Sequence, residues 1–328
     1  MQTKSAAAII FAFLLGLTGC NFGAPQLSGP SAPAVTHSEP WAYNDDPGVL
    51  IHTEHYDIYT TIADPDVRRR LADVMEGALG EYQRVAPGVP LSSQPMDCFF
   101  FRTREEWVDF TRRRTGVESY IYLQINRGGY TKNDWYAGFW LGSIAGTMSV
   151  AAHEGWHQFA YRNFKGRLPP FLEEGIATMY EDLQWEDDLP RWNLAQNHSR
   201  LISLRNAMQG NYLYPLRQLS AMHAGMVVAG AEAGTEAFYG QSWAFASFLW
   251  SGEDGKYRPA LRRLLSDIAD GSVYDPSGAY KDKSMPWNPA AAQPMLERYL
   301  GLSFDQIDAE YKSYIKSIAI DDYAKQWN

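Results

Sequence analysis

Two histidines four residues apart in an apolar stretch constrain this chain more than any other feature. His153-Glu154-Gly155-Trp156-His157 follows Met148, Val150, Ala151 and Ala152, so the segment reads as a buried helix, and imidazoles buried there need partners. Residues at i and i+4 of a helix differ by about 40° in azimuth and about 6 Å in rise. Both rings can therefore converge on one metal ion, for which zinc is the usual choice. The glutamate between them stands close enough to take a proton from metal-activated water and deliver it to a leaving amine. The competing reading is a helix whose histidines are satisfied by solvent or by the core.

A catalytic zinc site needs a third protein ligand and an open position. Downstream, the Leu168-Pro169-Pro170 turn leads into Phe171-Leu172-Glu173-Glu174-Gly175-Ile176-Ala177, the start of a second helix with two carboxylates in an apolar setting. A connection this short makes the two helices antiparallel neighbours and returns the second to the histidines. Gly175 removes a side chain where the helices approach, which favours Glu174 as ligand. Glu173 then reads as an exposed carboxylate suited to a helix amino terminus. Thr178 and Glu181, one and two turns further on, are candidates to hydrogen-bond the histidines and fix their tautomers.

The remainder sets the frame. The chain has 328 residues, of which 45% are hydrophobic and 14% aromatic, enough for a substantial core. With 29 basic against 38 acidic residues the formal charge is −9, and this balance argues against a nucleic-acid partner. Lys4 precedes an apolar run from Ala6 to Leu17, too short for a permanent span and typical of an export signal. It ends in Leu17-Thr18-Gly19-Cys20, which resembles the lipobox of bacterial lipoproteins; the resemblance implies a lipid on Cys20, anchorage to a membrane and a place in the cell envelope. Cys98 is then a lone, buried thiol.

Four segments follow from composition and periodicity: a signal peptide over 1–19, a flexible Pro/Ser/Gly-rich tether over 20–48, an α+β subdomain over 49–146 and a mainly helical subdomain over 147–328. Within the third, the pattern predicts a strand or hairpin over 49–61, a helix over 66–85, a strand at 96–101, a helix at 104–114, a strand at 118–125 and a turn or bulge at Gly128-Gly129-Tyr130. Helices are predicted near 147–164, 170–183, 195–209, 236–251, 257–269, 291–300 and 304–318, the last opened by a Ser303/Gln306 capping box. The acidic run between Glu181 and Asp188 reads as a solvated loop.

The order His153-Glu154-x-x-His157, thirteen residues, then Phe171-Leu172-Glu173-Glu174-Gly175-Ile176-Ala177 resembles the gluzincin zinc metallopeptidases. More narrowly it resembles the bacterial peptidase-MA-like family known as domain of unknown function 1570, together with His55-Tyr56-Asp57-Ile58-Tyr59 and Phe238-Tyr239-Gly240-Gln241-Ser242-Trp243. The resemblance implies a gluzincin-like α+β fold with a zinc cleft between the two subdomains, His153, His157 and Glu174 as zinc ligands and Glu154 as general base. It further implies that a tyrosine heading a later helix approaches the zinc. Tyr239 is the candidate oxyanion donor, with His198 and His223 as alternatives and a plain core aromatic as the competing reading. Related zinc peptidases dock an extended peptide along an edge strand before the active-site helix, which here corresponds to Tyr122–Tyr130, with Gly128, Gly129 and Tyr130 as substrate contacts. The aromatics Tyr130, Trp135, Tyr136, Phe139 and Trp140 either line that cleft or pack the join between the halves. No motif for gripping a substrate amino terminus is evident, which disfavours an aminopeptidase.

The expectation is thus an exported, lipid-anchored zinc endopeptidase acting on peptides or proteins. The alternatives are a non-catalytic, surface-anchored binding or scaffold protein of the same fold and a zinc amidase acting on cell-wall peptides.

Overall fold

The computed structural model describes residues 27–126, 128–227, 230–278, 280–283 and 288–325. The signal peptide and Cys20 lie outside them. The chain is α+β, with a sheet in its amino-terminal part and helices through most of the rest.

The first strands are β1 (His37–Tyr43), β2 (Asp46–His52) and β3 (Tyr56–Thr60), followed by helix α1 (Pro65–Val85) and strand β4 (Met96–Phe101). Helix α2 (Arg104–Thr115), the single turn α3 (Ser119–Tyr122), and strands β5 (Gly129–Lys132) and β6 (Trp135–Phe139) complete this part. The six strands form one sheet in the order β1-β2-β3-β4-β6-β5. Strands β3, β4 and β6 run parallel, while β1 and β5 are antiparallel edges. Alternation along β4 divides its side chains between two cores. Cys98 and Phe100 join Tyr56, Ile58, α1 and the histidine helix; Phe99 and Phe101 meet Trp107 and Phe110 of α2. Tyr130, Trp135 and Phe139 are buried in that second core and Tyr136 in the first, so these four rings pack the two faces of the sheet.

Beyond the sheet come α4 (Ile144–Asn163), α5 (Pro170–Thr178), the hairpin β7 (Leu183–Glu186) and β8 (Leu189–Trp192), then α6 (His198–Gln209), α7 (Leu216–Leu219), α8 (Glu232–Ser251), α9 (Arg258–Asp270), α10 (Ala292–Leu300) and α11 (Phe304–Lys325). Helix α4 starts where the Ser143 hydroxyl accepts the Gly146 amide, a side-chain N-cap. It lies on α1, where the Tyr82 hydroxyl donates to the Ala152 carbonyl at 2.5 Å. Gly155 makes that approach possible, since a Cβ there would stand 2.6 Å from the Tyr82 oxygen. The Ser303/Gln306 capping box opens α11 as expected.

Three expectations need correction. The stretch given to a flexible tether, 20–48, is ordered from its described start: Ser28 exchanges backbone hydrogen bonds with Trp192 at 2.8 and 2.9 Å, and β1 lies within 37–43. Cross-strand hydrogen bonds hold an edge strand that its composition could not bury. The strand expected at 118–125 is a 3₁₀ turn followed by α3; Tyr120 and Ile121 are both exposed, so their apparent alternation marks no buried face. The acidic segment after α5 is a hairpin whose turn residues, Asp187 and Asp188, have φ of 50° and 64°, the backbone sense that suits two-residue hairpin turns. Accordingly α5 ends at Thr178 and not near 183.

Gly175 serves a different neighbour from the one expected. A Cβ there would lie 2.2 Å from the Ser242 carbonyl and 3.2 Å from the Ala246 methyl, so it admits α8, not α4. Gly175→Ala should lower stability by about 1–3 kcal/mol through overpacking, read as a reduced urea midpoint. An unchanged midpoint would show that the α5–α8 contact yields freely.

Candidate metal centre

Helix α4 presents His153 and His157 on one face, and α5 returns Glu174 to them after the Pro169-Pro170 turn. The Nε2 atoms of the two histidines are 3.3 Å apart. Glu174 Oε2 lies 3.4 Å from His153 Nε2 and 3.6 Å from His157 Nε2. Ligands held about 2.0–2.1 Å from a tetrahedral zinc ion stand about 3.3–3.4 Å from one another, so the triangle has the size of one face of such a site. Among the described residues this is the one His/Cys/Asp/Glu group whose ligand atoms converge in this way.

The outer ring nitrogens define what the inner ones can do. His153 Nδ1 is 2.9 Å from Glu181 Oε1 and His157 Nδ1 is 3.1 Å from Glu173 Oε1. With Nδ1–H donating to each carboxylate, both Nε2 lone pairs aim at the centre. Glu174 Oε2, buried and without a hydrogen-bond donor, aims there too. Three acceptors facing one another call for a cation or for protons. Without a metal the charges adjust accordingly. Burial opposes a charged His153, but the Glu174 and Glu181 carboxylates outweigh it and raise its pKa to about 9. Burial likewise opposes charge on His157, yet Glu174 and Glu173 push its pKa well above the usual value. Burial alone would raise Glu174; the facing His157 and His153 hold it far below the carboxylate range.

Glu181 is the better-built support, as expected from its spacing. Arg200 grips it bidentately, Nε to Oε2 at 2.7 Å and Nη2 to Oε1 at 2.6 Å, and Asn197 Nδ2 donates to Oε2 at 2.9 Å. Against the burial penalty, Arg200 and His153 lower its pKa to about 2. Thr178 does not take the expected role: its hydroxyl donates to the Gly175 carbonyl at 2.7 Å within its own helix. Glu173, assigned to solvent on sequence grounds, is the partner of His157. Its adjacency to Glu174 was the available signal, since consecutive carboxylates at a helix start can serve both sides of one imidazole. Arg200 and Asn197 carried no such signal, because α6 reaches the site only through the β7–β8 hairpin.

His153, His157 and Glu174 line a cavity of about 870 Å³ that also holds Glu154, Glu181, Arg200 and Tyr239. Burial raises the Glu154 carboxyl above its ordinary value, the two histidines opposing. Tyr239 sits two turns inside α8, not at its head, with its ring 6.5 Å from that of His153 and the Arg200 guanidinium 4.9 Å above it. His198 is exposed and pairs with Asp182 at 2.6 Å; His223 does not line the cavity, although Ala224 and Gly225 do. Gln241 spends its side chain on the Tyr214 backbone, at 2.7 and 2.9 Å. Gly128, Gly129 and Tyr130 border the cavity. Gly129 is required by sheet crowding, since a Cβ would lie 2.5 Å from the Ala137 carbonyl, and the Tyr130 ring is buried against Trp107. The buried Cys98 thiol donates to Gln158 Oε1 at 3.3 Å, away from the cavity.

Comparison with family models, with curated proteins and with solved structures returned no match.

Glu181→Gln and Glu173→Gln should each weaken zinc binding about ten- to a hundredfold, measured by chelator competition, with Thr178→Ser leaving it unchanged. The pH dependence has a defined sign. His153 in the metal-free protein has a pKa raised from 6.5 to about 9, so the stability its charge provides is full below about 6.5, declines as pH rises and is gone above about 9. The urea midpoint of the metal-free protein should fall across that window, and zinc, replacing the proton, should flatten the profile.

Proposed function

We propose that this chain is a zinc-dependent peptide hydrolase of the gluzincin kind, an endopeptidase exported and held to a membrane of the cell envelope by a lipid on Cys20. The carrying observation is the convergence of three acceptor atoms, without a donor, on a cavity wall that also bears Glu154. The anchoring part rests on the sequence from Lys4 to Cys20.

His153, His157 and Glu174 would hold the ion, with Glu181 and Glu173 keeping the imidazole protons on Nδ1. Zinc bound there would polarise the scissile carbonyl and acidify a water molecule. Glu154 takes the proton from the attacking water and delivers it to the leaving nitrogen. Its position on α4 is held from the sheet side, where the Thr131 hydroxyl donates to the Glu154 carbonyl at 2.9 Å. Tyr239, on the wall formed by α8, is the donor to the developing oxyanion. Arg200 ties that wall to the histidines by lying over the Tyr239 ring while gripping Glu181. The peptide would lie along β5, the edge strand nearest the histidine helix, as an added strand.

After zinc loading the protein should retain about one equivalent of metal. Glu154→Gln should keep the zinc and lose about 10²–10⁴-fold in hydrolysis of a mixed peptide library. Loss of metal on dialysis, or undiminished hydrolysis by the variant, would overturn the reading. Tyr239→Phe should lose about 10²–10³-fold in kcat with zinc affinity unchanged; a change confined to KM would remove Tyr239 from the oxyanion role.

A further inference from the structure

The turn between α2 and β5 lies at the rim of the cavity and carries exposed apolar side chains that pack in neither core. The 3₁₀ segment Gly116–Glu118 and the following turn α3 project Val117, Tyr120 and Ile121 into solvent with exposures of 92%, 67% and 50%. Exposure this high at three apolar positions within five residues describes a convex knob. Immediately before it, the last turn of α2 holds Arg112, Arg113 and Arg114, all exposed. Of the nearby carboxylates, Asp109 pairs with Arg113 at 3.0 Å and Glu118 with Lys132, while Asp97 lies within electrostatic reach of Arg114. Arg112 and Arg114 form no salt bridge among the described residues, and Arg114 lies against the Phe99 and Trp135 rings. A chain of net charge −9 thus places exposed arginines beside three exposed apolar residues.

We propose that this knob docks on an anionic lipid bilayer, with Val117, Tyr120 and Ile121 entering the headgroup region and Arg112 and Arg114 meeting lipid phosphates. A tyrosine and aliphatic side chains beside arginines form the combination that settles at a membrane interface. A protein partner fits less well, because a few residues on a convex tip fall far short of the roughly 800 Å² per side that a stable interface uses. No helix among the described residues is long and apolar enough to cross a membrane, so the contact would be at the surface. Ile121 and Tyr122 also line the metal cavity; docking would therefore set the cavity mouth against the bilayer. The inference does not depend on the chain being a hydrolase.

The test uses the full chain with Cys20→Ser, so that no lipid modification contributes, and with Ile121→Cys labelled by an environment-sensitive thiol fluorophore. Cys98 is fully buried and stays unlabelled. Phosphatidylglycerol vesicles should shift the emission to the blue, and brominated acyl chains should quench it; phosphatidylcholine vesicles should do neither. Arg112→Gln with Arg114→Gln should weaken the response about tenfold or more, and raised salt should do the same. Vesicle binding without a change at position 121 would place the contact elsewhere and overturn the proposal. A blue shift that depends on protein concentration without lipid would overturn it in favour of self-association.

Discussion

Three acceptor atoms held within 3.6 Å of one another, with their protons committed outward, are the constraint around which the rest of this molecule is arranged. Lone pairs at that distance repel, and the low-polarity surroundings of α4 and α5 strengthen the repulsion. The fold holds them there by buried packing. Trp156 and Phe159 lock α4 to α1 through Tyr82, and the missing side chain of Gly175 lets α5 settle on α8. Each imidazole is also fixed from behind by a carboxylate. A site so held is poised for a cation, and in its absence for protons, which is why the histidines are shifted up and Glu174 down.

The connections run outward unequally. Glu181 answers to Arg200 and Asn197 of the α6 region, and Arg200 in turn lies over Tyr239 of α8. One half-buried cation therefore links the support of His153 to the opposite wall of the cavity. Glu173 is more exposed than Glu181 and has Lys283 within electrostatic reach, and its partner His157 is the more exposed of the two histidines. On the sheet side, Thr131 of the edge strand hydrogen-bonds the backbone of Glu154, so the sheet and the histidine helix meet at the residue that the proposed chemistry uses as base.

Much of this could be read before any coordinates. A run of apolar residues with histidines at i and i+4 can hardly be anything other than a helix presenting both on one face, and a Pro-Pro turn followed by two glutamates returns carboxylates to it. The hydrophobic spacing of α1 and the β4 run of Met96–Phe101 likewise sufficed for their elements. The errors fell where local pattern and tertiary need diverge. Residues 28–48 are poor in large apolar side chains but pair as β1 of a local hairpin and, at Ser28, with the distant Trp192; 118–125 alternates like a strand, yet Tyr120 and Ile121 protrude from a helical turn.

The amino-acid sequence by itself determined the α+β class, the helix bearing His153, Glu154 and His157, and the return of the Glu173–Glu174 pair to it, because helical periodicity and a short connection leave few places for those side chains. Only the tertiary structure decided that Glu173 serves His157, that Arg200 and Asn197 stand behind Glu181, that Thr178 serves its own helix, and that the aromatic residues of β5 and β6 are packing. Each of those outcomes depends on which elements cross in space, and crossing is set by the packing of the whole core, which no local window of sequence contains.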